Sequence, residues 1–286
     1  MPDTIRPETT RFAPSPSGRL HLGHAHSAIF SARAANPLEG GRFLLRIEDI
    51  DTARCRPEFE AAILDDLAWL GLEWEEPPLR QSDRLDLYAE GLERLKETGL
   101  LYPCFCTRRD IQEEIARAGS APHGPDGPLY PGICRGLGEE ETAERVAAGE
   151  PYAWRLDAEE AQRQTGPLLW HDRGRGEIRA EPGLLGDVVL ARKDIGTSYH
   201  LAVTLDDASQ EVTLVTRGED LFHATHLHRV LQELLDLPVP EWHHHGLLAD
   251  AQGQRLAKRH DSLSLAALRE HGHSPAEVRA MAGFPD

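Results

Sequence analysis

The amino-acid sequence predicts an α/β protein built on a doubly wound parallel sheet. Short apolar, strand-like runs alternate with helical segments over residues 11–71, and the same alternation resumes near residue 186. A turn rich in Pro and Gly at 14–18 separates the first strand from the first helix. Because parallel strands need crossover helices that cover both faces of the sheet, this pattern indicates a Rossmann-like fold.

The first half of this fold can be followed element by element. A short strand is predicted around Arg11–Ala13, and a helix with apolar residues at helical spacing begins near His24. A second strand spans Arg42–Ile47. Pro57 begins a helix that Gly71 closes, because Pro suits the first turn of a helix and Gly suits its end.

Residues 104–186 differ in character from what precedes them. The stretch 119–138 is rich in Gly and Pro, and three of the four cysteines lie within or near it. We therefore expect an inserted subdomain at 104–186, which divides the main domain into two halves, 1–103 and 187–250.

Beyond residue 186 the sequence predicts further strands and helices. The apolar runs Leu201–Leu205 and Val212–Val215 suit buried strands. Ala224–Leu237 carries apolar residues at helical spacing and ends before Pro238. The C-terminal segment, residues 251–286, is expected to hold two short helices.

Composition limits the class of protein. Hydrophobic residues make up 40% of the 286 residues and no apolar run approaches the roughly 20 residues that span a bilayer, so we expect no membrane association. The N-terminus lacks the basic start and apolar core of a signal peptide, which predicts a cytoplasmic protein. A net charge of −17 argues against coating nucleic acid by charge alone, although an RNA-binding enzyme needs only one basic face.

The first segment that indicates chemistry is His21-Leu22-Gly23-His24, placed between a strand and a helix. Imidazoles can donate hydrogen bonds to phosphate oxygens, and Gly23 allows the backbone to approach a nucleotide closely. The amino end of the helix adds a field that favours phosphate. Taken alone, four residues match often by chance, and a turn with two surface histidines explains them equally well.

Three other segments accompany this motif in order along the chain: Arg11–Gly18 upstream, Arg46–Asp51 downstream and Arg255–Arg259 far downstream. Together the four segments resemble the class I glutamyl- and glutaminyl-tRNA synthetases, over nearly all of residues 11–260. Within that family the chain is similar to a short paralogue that ends after the catalytic domain. Only 27 residues follow Arg259, so we expect no anticodon-binding domain.

The resemblance implies an ATP site with catalytic side chains. His21, Gly23 and His24 are expected to bind ATP, with both histidines stabilising charge as the α-phosphate is attacked. Lys258 is the expected cation on the phosphates, and Ala257 stands where the family usually has Ser. Without the other motifs, Lys258 would be interpreted as a solvated surface lysine.

The resemblance also implies a glutamate site. Glu48 matches the family position that binds the substrate ammonium, while Arg11, Tyr199 and Arg217 match other glutamate-binding positions, where an arginine can hold a carboxylate with two hydrogen bonds. The remaining expected residues continue the stretch that Arg11 begins: Phe12, Ala13, Pro14 and Ser15. From the residues alone, Glu48 could instead pair with Arg46, Arg217 could be a turn residue, and Tyr199 could be core.

The cysteines suggest a metal site. Their spacing, Cys-x-Cys followed by Tyr-x3-Cys, matches a structural zinc site of the family with the ligands Cys104, Cys106, Tyr130 and Cys134. Three ordinary thiols, or His123 in place of the tyrosine, remain alternatives. We expect no partner for Cys55, and we interpret His243–His245 as a polar turn before Gly246 rather than a metal site.

The expected activity follows from the short paralogue. The chain would be a ligase that uses ATP with Mg²⁺ to convert L-glutamate to glutamyl-adenylate without tRNA, and would then transfer glutamate to the queuosine base in the anticodon of tRNA(Asp). No protein nucleophile is needed, because the substrate carboxylate attacks ATP itself. We expect a monomer. The alternatives are a minimal synthetase that charges a tRNA 3′ end, and an inactive binding module or zinc-stabilised scaffold.

Overall fold

The computed structural model describes residues 7–117, 123–125, 127–248 and 264–285. Within these ranges, every helix is too short or too polar to cross a bilayer. Lys258 and Ala257 lie outside the described residues.

The first half of the chain forms a three-stranded parallel sheet with its crossover helices. The order is β1 (Thr9–Phe12), α1 (Leu22–Ala35), β2 (Arg42–Ile47), α2 (Pro57–Trp69), β3 (Glu75–Arg80) and α3 (Leu85–Glu97). The middle strand is β2, which pairs with both others. The predicted second strand and second helix therefore begin where the sequence analysis placed them, since Pro57 occupies the first turn of α2.

The middle of the chain forms short strands and exposed helices. They are β4 (Leu101–Cys104), α4 (Arg108–Arg117), β5 (His123–Gly124), β6 (Gly127–Pro128), α5 (Glu139–Ala147), β7 (Ala153–Leu156), α6 (Ala158–Thr165), β8 (Leu169–Asp172), β9 (Gly176–Arg179) and β10 (Val189–Ala191). A small antiparallel sheet is formed by β4, β7 and β10. Hence β10, which we assigned to the second half of the main domain, pairs with a strand of the insertion.

The second half returns to parallel strands. It consists of α7 (Tyr199–Ser209), β11 (Leu214–Gly218), α8 (Ala224–Leu234) and β12 (Glu241–His245), followed by α9 (Leu265–Glu270) and α10 (Pro275–Met281). The strands β11, β12 and β8 are parallel neighbours, with β9 as an antiparallel edge. The hairpin of β8 and β9 was predicted as part of the insertion, but it lies in the same sheet as β11.

The two parallel sheets meet where β1 lies beside β11. The Thr213 amide donates to the Thr9 carbonyl at 3.0 Å, and the Thr9 amide donates to Oγ1 of Thr213 at 2.9 Å. The spatial order of the parallel strands is therefore β3-β2-β1-β11-β12-β8. Successive strands are added in one direction from β1 and in the opposite direction from β11, so the winding reverses between these two strands. The predicted α/β class with a doubly wound parallel sheet is confirmed, and this reversal is the usual place for a ligand in such folds.

Two apolar clusters cover the two faces of the sheet. One contains Leu95, Leu201 and Leu231, from α3, α7 and α8. The other contains Ile29 and Ile63 from α1 and α2, and Leu265 and Val278 from α9 and α10. The short C-terminal helices therefore complete the core on the α1 face rather than forming a separate unit.

Two predictions of local structure are wrong. The run Leu201–Leu205 was predicted as a strand but lies inside α7. Because Leu201–Asp207 are all buried, the segment lacks the polar face whose 3.6-residue spacing would have indicated a helix. His243–His245 were predicted as a polar turn but form the end of β12, and both His244 and His245 are buried. Buried polar residues are tolerated there because each has a hydrogen-bond partner.

Candidate active site

A cavity of about 380 Å³ opens at the carboxyl ends of β1 and β11, beside the start of α1. Nine of the predicted site residues line it: Arg11, Phe12, Ala13, His21, Gly23, His24, Glu48, Tyr199 and Arg217. Pro14 and Ser15 are not among its lining residues. The Pro14 carbonyl accepts the Glu48 amide at 3.0 Å, and Oγ of Ser15 lies 3.6 Å from Sγ of Cys55, so both residues brace the loops behind the cavity.

The two histidines of the first motif cap helix α1. Nδ1 of His21 accepts the amide of Gly23 at 3.1 Å, and Nδ1 of His24 accepts the amide of His21 at 3.2 Å. These contacts satisfy backbone N–H groups that a helix start leaves unpaired. Because Nδ1 is an acceptor in each ring, a neutral imidazole carries its proton on Nε2. Both histidines are thus set up as donors at the amino end of a helix, where anions bind well.

The described residues on either side of Lys258 in the sequence lie beside this cavity. Leu248, the last described residue before it, lines the cavity. Ser264, the first described residue after it, forms a β-bridge with His21, and the Leu265 amide donates to the Leu20 carbonyl at 2.9 Å. Residues 248 and 264, which flank this segment, therefore both lie beside the histidine motif.

Arg217 lies buried at the end of β11 and is held by neutral groups. Its Nε donates to Nε2 of His244 at 3.1 Å, and one terminal nitrogen donates to Oγ1 of Thr225 at 2.6 Å. The other terminal nitrogen lies 3.4 Å from both the Tyr199 hydroxyl and Nδ1 of His228. Among the described residues, no carboxylate oxygen lies within 4.0 Å of the Arg217 guanidinium nitrogens, the limit for an ion pair. The charge of Arg217 is therefore left for a bound anion.

The histidines around Arg217 stay neutral. Burial and the positive charge of Arg217 lower the pKa of His200 to about 4 and that of His228 well below its ordinary value. The same causes lower the pKa of His244 to about 3. The rings of His228 and His244 contact the guanidinium without adding positive charge, and none of the three histidines competes with it for an anion near pH 7.

Arg11 differs from Arg217 because its charge is already paired. Its Nε donates to Oδ1 of Asp207 at 2.9 Å, and the same oxygen accepts from Arg46 at 2.7 Å. Arg46 is completely buried and also reaches Glu48, at 3.4 Å. The pairing of Glu48 with Arg46, which the sequence left open, is therefore present, and Glu48 still lines the cavity.

Glu48 has a raised pKa. Burial is the largest cause, and it outweighs the attraction of Arg46 and Arg11, which lowers the pKa, so that the carboxyl titrates at about 7. The nearby Asp207 stays ionised, because both arginines hold its pKa below the ordinary value despite burial. A bound ammonium group would lower the pKa of Glu48 and bind its carboxylate.

Several residues of this site were missed by sequence reasoning. They are Asp172, Asp206, Asp207, Thr225, His228 and His244. Asp206 accepts hydrogen bonds from Gln81, Arg84 and Tyr88, which fastens α7 to the segment around α3. One signal was present: two adjacent carboxylates end an otherwise apolar run, and buried charges require partners.

The predicted metal ligands converge in the middle of the chain. The sulfurs of Cys104, Cys106 and Cys134 all lie within 4.8 Å of one another, and no other such group of three or more His, Cys, Asp or Glu is found among the described residues. The Tyr130 hydroxyl lies 3.3 Å from Sγ of Cys104 and 3.6 Å from Sγ of Cys106. His123 is described and is not part of the group. Three thiols and a phenol at these distances fit a tetrahedral metal site, so the cluster could bind a metal.

A second cavity of about 500 Å³ adjoins the first. Its walls include Tyr130, Arg155 and His200, and it shares Tyr199, Asp220 and Leu221 with the first cavity. The side chain of Arg155 stacks over the Tyr130 ring at 3.8 Å. The cysteine cluster, the second cavity and the first cavity therefore form one continuous row.

Residues 8–282 match the family described as tRNA synthetases class I (E and Q), catalytic domain. A relative in Rhodobacter capsulatus, a glutamyl-Q tRNA(Asp) synthetase, is 54% identical over 96% of this chain and 99% of its own length. The protein of that name in Nocardia farcinica is 45% identical over 95% of this chain and 82% of its length.

Solved structures agree with these matches. A glutamate tRNA ligase from Elizabethkingia meningosepticum, in complex with its amino acid, is 29% identical with a TM-score of 0.79 over 97% of this chain. The glutamate–tRNA synthetase of Elizabethkingia anophelis is 30% identical with a TM-score of 0.80 over 96% of this chain. The chain spans 60% and 61% of those two structures. It belongs to the family of class I glutamyl- and glutaminyl-tRNA synthetases, whose catalytic domain it contains.

Proposed function

We propose that this chain is a ligase that activates L-glutamate with ATP, without tRNA, and transfers the glutamate to the queuosine base of tRNA(Asp). The observation that carries the first step is the cavity, where two side chains face the proposed ATP motif. One is a buried arginine that has no carboxylate partner among the described residues, and the other is a glutamate that can bind an ammonium. The second step is supported by the names of the relatives from Rhodobacter capsulatus and Nocardia farcinica.

In this proposal the cavity orients glutamate by charge. Arg217 binds the side-chain carboxylate, because no carboxylate of the described residues neutralises its charge, and Tyr199 donates beside it. Glu48 binds the ammonium group. Arg11 and the backbone of Phe12 and Ala13 form the floor of the cavity. The ion pair between Arg11 and Asp207 keeps this floor in place. The α-carboxylate is then directed towards His21 and His24.

Activation is a substitution at the α-phosphorus of ATP. An oxygen of the glutamate α-carboxylate forms a bond to that phosphorus, and the bond to the bridging oxygen breaks, so pyrophosphate leaves with the electrons. Nε2–H of His21 and His24 donates to the phosphates, and Gly23 admits them to the start of α1. Lys258 supplies a cation for the leaving pyrophosphate. Mg²⁺ would enter with ATP and would neutralise charge on its phosphates.

Transfer requires the acceptor to lie next to the activated carboxyl. The second cavity satisfies this need, since Tyr199, Asp220 and Leu221 separate it from the glutamate cavity by one layer of side chains. The acceptor oxygen forms the new bond to the glutamyl carbon, AMP departs, and the acceptor's proton is released. We assign this second cavity to the modified base of tRNA(Asp).

Zinc is the metal that we propose for the cysteine cluster, held by Cys104, Cys106, Cys134 and Tyr130. Bound there, it would act as a structural staple for a Gly- and Pro-rich region with little core of its own. In this view the region from 104 to about 168 is the insertion, while the β8–β9 hairpin belongs with the catalytic halves.

The test is ATP–pyrophosphate exchange with purified protein and no tRNA. Exchange with glutamate, but not with glutamine or aspartate, is the expected result. Exchange that begins only when tRNA is added would favour the alternative, a minimal synthetase that charges a 3′ end. Absence of exchange in all conditions would favour a scaffold.

The acceptor is tested separately with tRNA(Asp) that carries queuosine and, as a matched control, the same tRNA with unmodified guanosine. Radiolabelled glutamate should become attached only to the first. Attachment that survives the removal of the tRNA 3′ end places the glutamate elsewhere than on that end, and its loss on such removal would refute transfer to the base.

A further inference from the structure

We propose that Asp172 and His244 form a positioning relay that orients Arg217 for the side-chain carboxylate of glutamate while leaving its positive charge unneutralised. Neither residue lines the cavity, so both act through Arg217. This inference rests on the proposed function, because it assigns Arg217 the carboxylate of the amino-acid substrate.

The sheet places the three residues in a row. Arg217 is the last residue but one of β11, and its register partner on the neighbouring parallel strand β12 is His244. The next strand, β8, ends in Asp172. Oδ2 of Asp172 contacts Nδ1 of His244 at 2.7 Å, and Nε2 of His244 accepts from Nε of Arg217 at 3.1 Å. All three side chains are buried.

The hydrogen bonds allow one tautomer of His244. Arg217 Nε can only donate, so Nε2 of His244 must be unprotonated and Nδ1 must carry the proton. Nδ1–H then donates to the Asp172 carboxylate, which also accepts the amides of His244, at 3.1 Å, and Gly174, at 2.9 Å. Thr225 closes a ring, since its oxygen accepts from Arg217 and lies 3.3 Å from Nε2 of His244, where its O–H can donate.

The neutral imidazole explains why an aspartate is placed here but not against the arginine itself. A carboxylate in direct contact would neutralise Arg217, as Asp207 does for Arg11. The site would then bind the side-chain carboxylate of glutamate little more tightly than the uncharged side-chain amide of glutamine. With His244 between them, Asp172 fixes the direction of the guanidinium, and the charge remains available for the substrate.

A matched pair of substitutions at His244 tests this relay. The amide oxygen of a glutamine reaches the place of Nε2, so His244→Gln keeps an acceptor for Arg217. The amide of an asparagine reaches only the place of Nδ1, so His244→Asn keeps the Asp172 contact and loses the acceptor. In glutamate-dependent exchange, we expect KM for glutamate within about threefold of the unaltered protein for His244→Gln and about 10- to 100-fold higher for His244→Asn.

Asp172→Asn provides the second test. An asparagine amide can donate to Nδ1, which favours the other tautomer and sets Nε2–H of His244 against Nε–H of Arg217. We expect KM for glutamate to rise by about tenfold or more, the preference for glutamate over glutamine to fall, and KM for ATP to remain unchanged. His243→Gln, on the same strand but outside the cavity lining, should leave KM for glutamate unchanged.

The outcomes separate a positioning role from a structural one. If the two His244 variants raise KM for glutamate equally, or if KM for ATP rises in parallel, the residues only support the fold and the relay is refuted. If Asp172→Asn does not fold, the His244 pair decides alone. No exchange by the unaltered protein refutes the proposed function, whereas exchange with equal effects of the His244 pair refutes only the relay.

Discussion

Nε of Arg11 and Oδ1 of Asp207 are 2.9 Å apart although 196 positions separate the two residues in the sequence. Their contact joins β1, in the first half of the sheet, to α7, in the second. The same carboxylate oxygen accepts from the completely buried Arg46. One carboxylate therefore pairs with two buried guanidinium groups beneath the proposed glutamate site.

Asp207→Asn should destabilise the protein strongly. Loss of this charge leaves two buried guanidinium groups with less compensation, and breaking a buried ion pair on one side costs about 3–5 kcal/mol. We expect the free energy of unfolding in urea to fall by about 3 kcal/mol. Glu75→Gln is the matched control, because its partner Arg42 is exposed, and it should cost less than about 1 kcal/mol. Equal losses would contradict the role of Asp207.

Glutamate binding should weaken in acid. The Glu48 carboxyl has a pKa of about 7, raised mainly by burial, so it is ionised above pH 7 and protonated below. Only the ionised form attracts the substrate ammonium. KM for glutamate should therefore rise by up to tenfold for each pH unit below 7, while KM for ATP stays flat.

Glu48→Gln gives the control for this pH dependence. Its KM for glutamate should be high at every pH from 6 to 8, because the amide has no charge to titrate. An unaltered pH profile in this variant would show that another group controls binding.

The effect of Glu48 on stability has the opposite pH dependence to its effect on glutamate binding. The folded state holds the proton of Glu48 more tightly than the unfolded chain does, so Glu48 lowers the free energy of unfolding as pH rises from about 4.5 to 7.

Cys106→Ser should lower metal content and stability before activity. The change removes one of three sulfurs from a cluster that has few other contacts to hold its region together. We expect bound zinc, measured by elemental analysis, to fall well below one per chain, with a lower midpoint of thermal unfolding and a smaller loss of pyrophosphate exchange. Cys55→Ser is the control and should retain its zinc, because Cys55 lies beside Ser15 rather than in the cluster.

Lys258→Ala should impair activation while the metal stays bound. A lysine on the phosphates stabilises charge that develops as pyrophosphate leaves, and removing one such group costs about 100- to 1,000-fold in rate. Single-turnover formation of glutamyl-adenylate is the appropriate measurement, with zinc content determined on the same sample. Loss of zinc together with activity would show that the ATP site and the cysteine cluster are not independent.

Local signals were sufficient for part of the fold. Pro57 at a helix start and the apolar run Arg42–Ile47 correctly placed α2 and β2. They failed for Leu201–Leu205, where burial on all sides removes the periodicity that separates a helix from a strand. The pairing of β8 with β12, about 70 residues later, was also not predicted, because a short run of four residues cannot indicate so distant a partner.

The contrast between local signals and remote partners also holds for the site. Motifs in sequence order predicted nine residues that line one cavity, since each motif is local. The residues that hold those nine were not predicted, because their partners are remote: Asp207 is paired across 196 positions and Asp172 across 72. Nothing in the sequence distinguishes His244 within three consecutive histidines, because its partner Asp172 lies on another strand, 72 positions away.

Tyr130 belongs to two neighbourhoods at once. Its hydroxyl lies among the cysteine sulfurs, and its ring forms part of the wall of the second cavity beneath Arg155. Under our proposal, loss of zinc would displace that wall but leave the glutamate cavity intact. Pyrophosphate exchange would then overestimate the number of competent molecules in a preparation with partial metal occupancy, because molecules without zinc would also contribute to it. Titration of the transfer step with queuosine-containing tRNA(Asp) would count only molecules in which the wall of the second cavity is intact. The fraction of molecules inactive in transfer would therefore equal the fraction that lacks zinc.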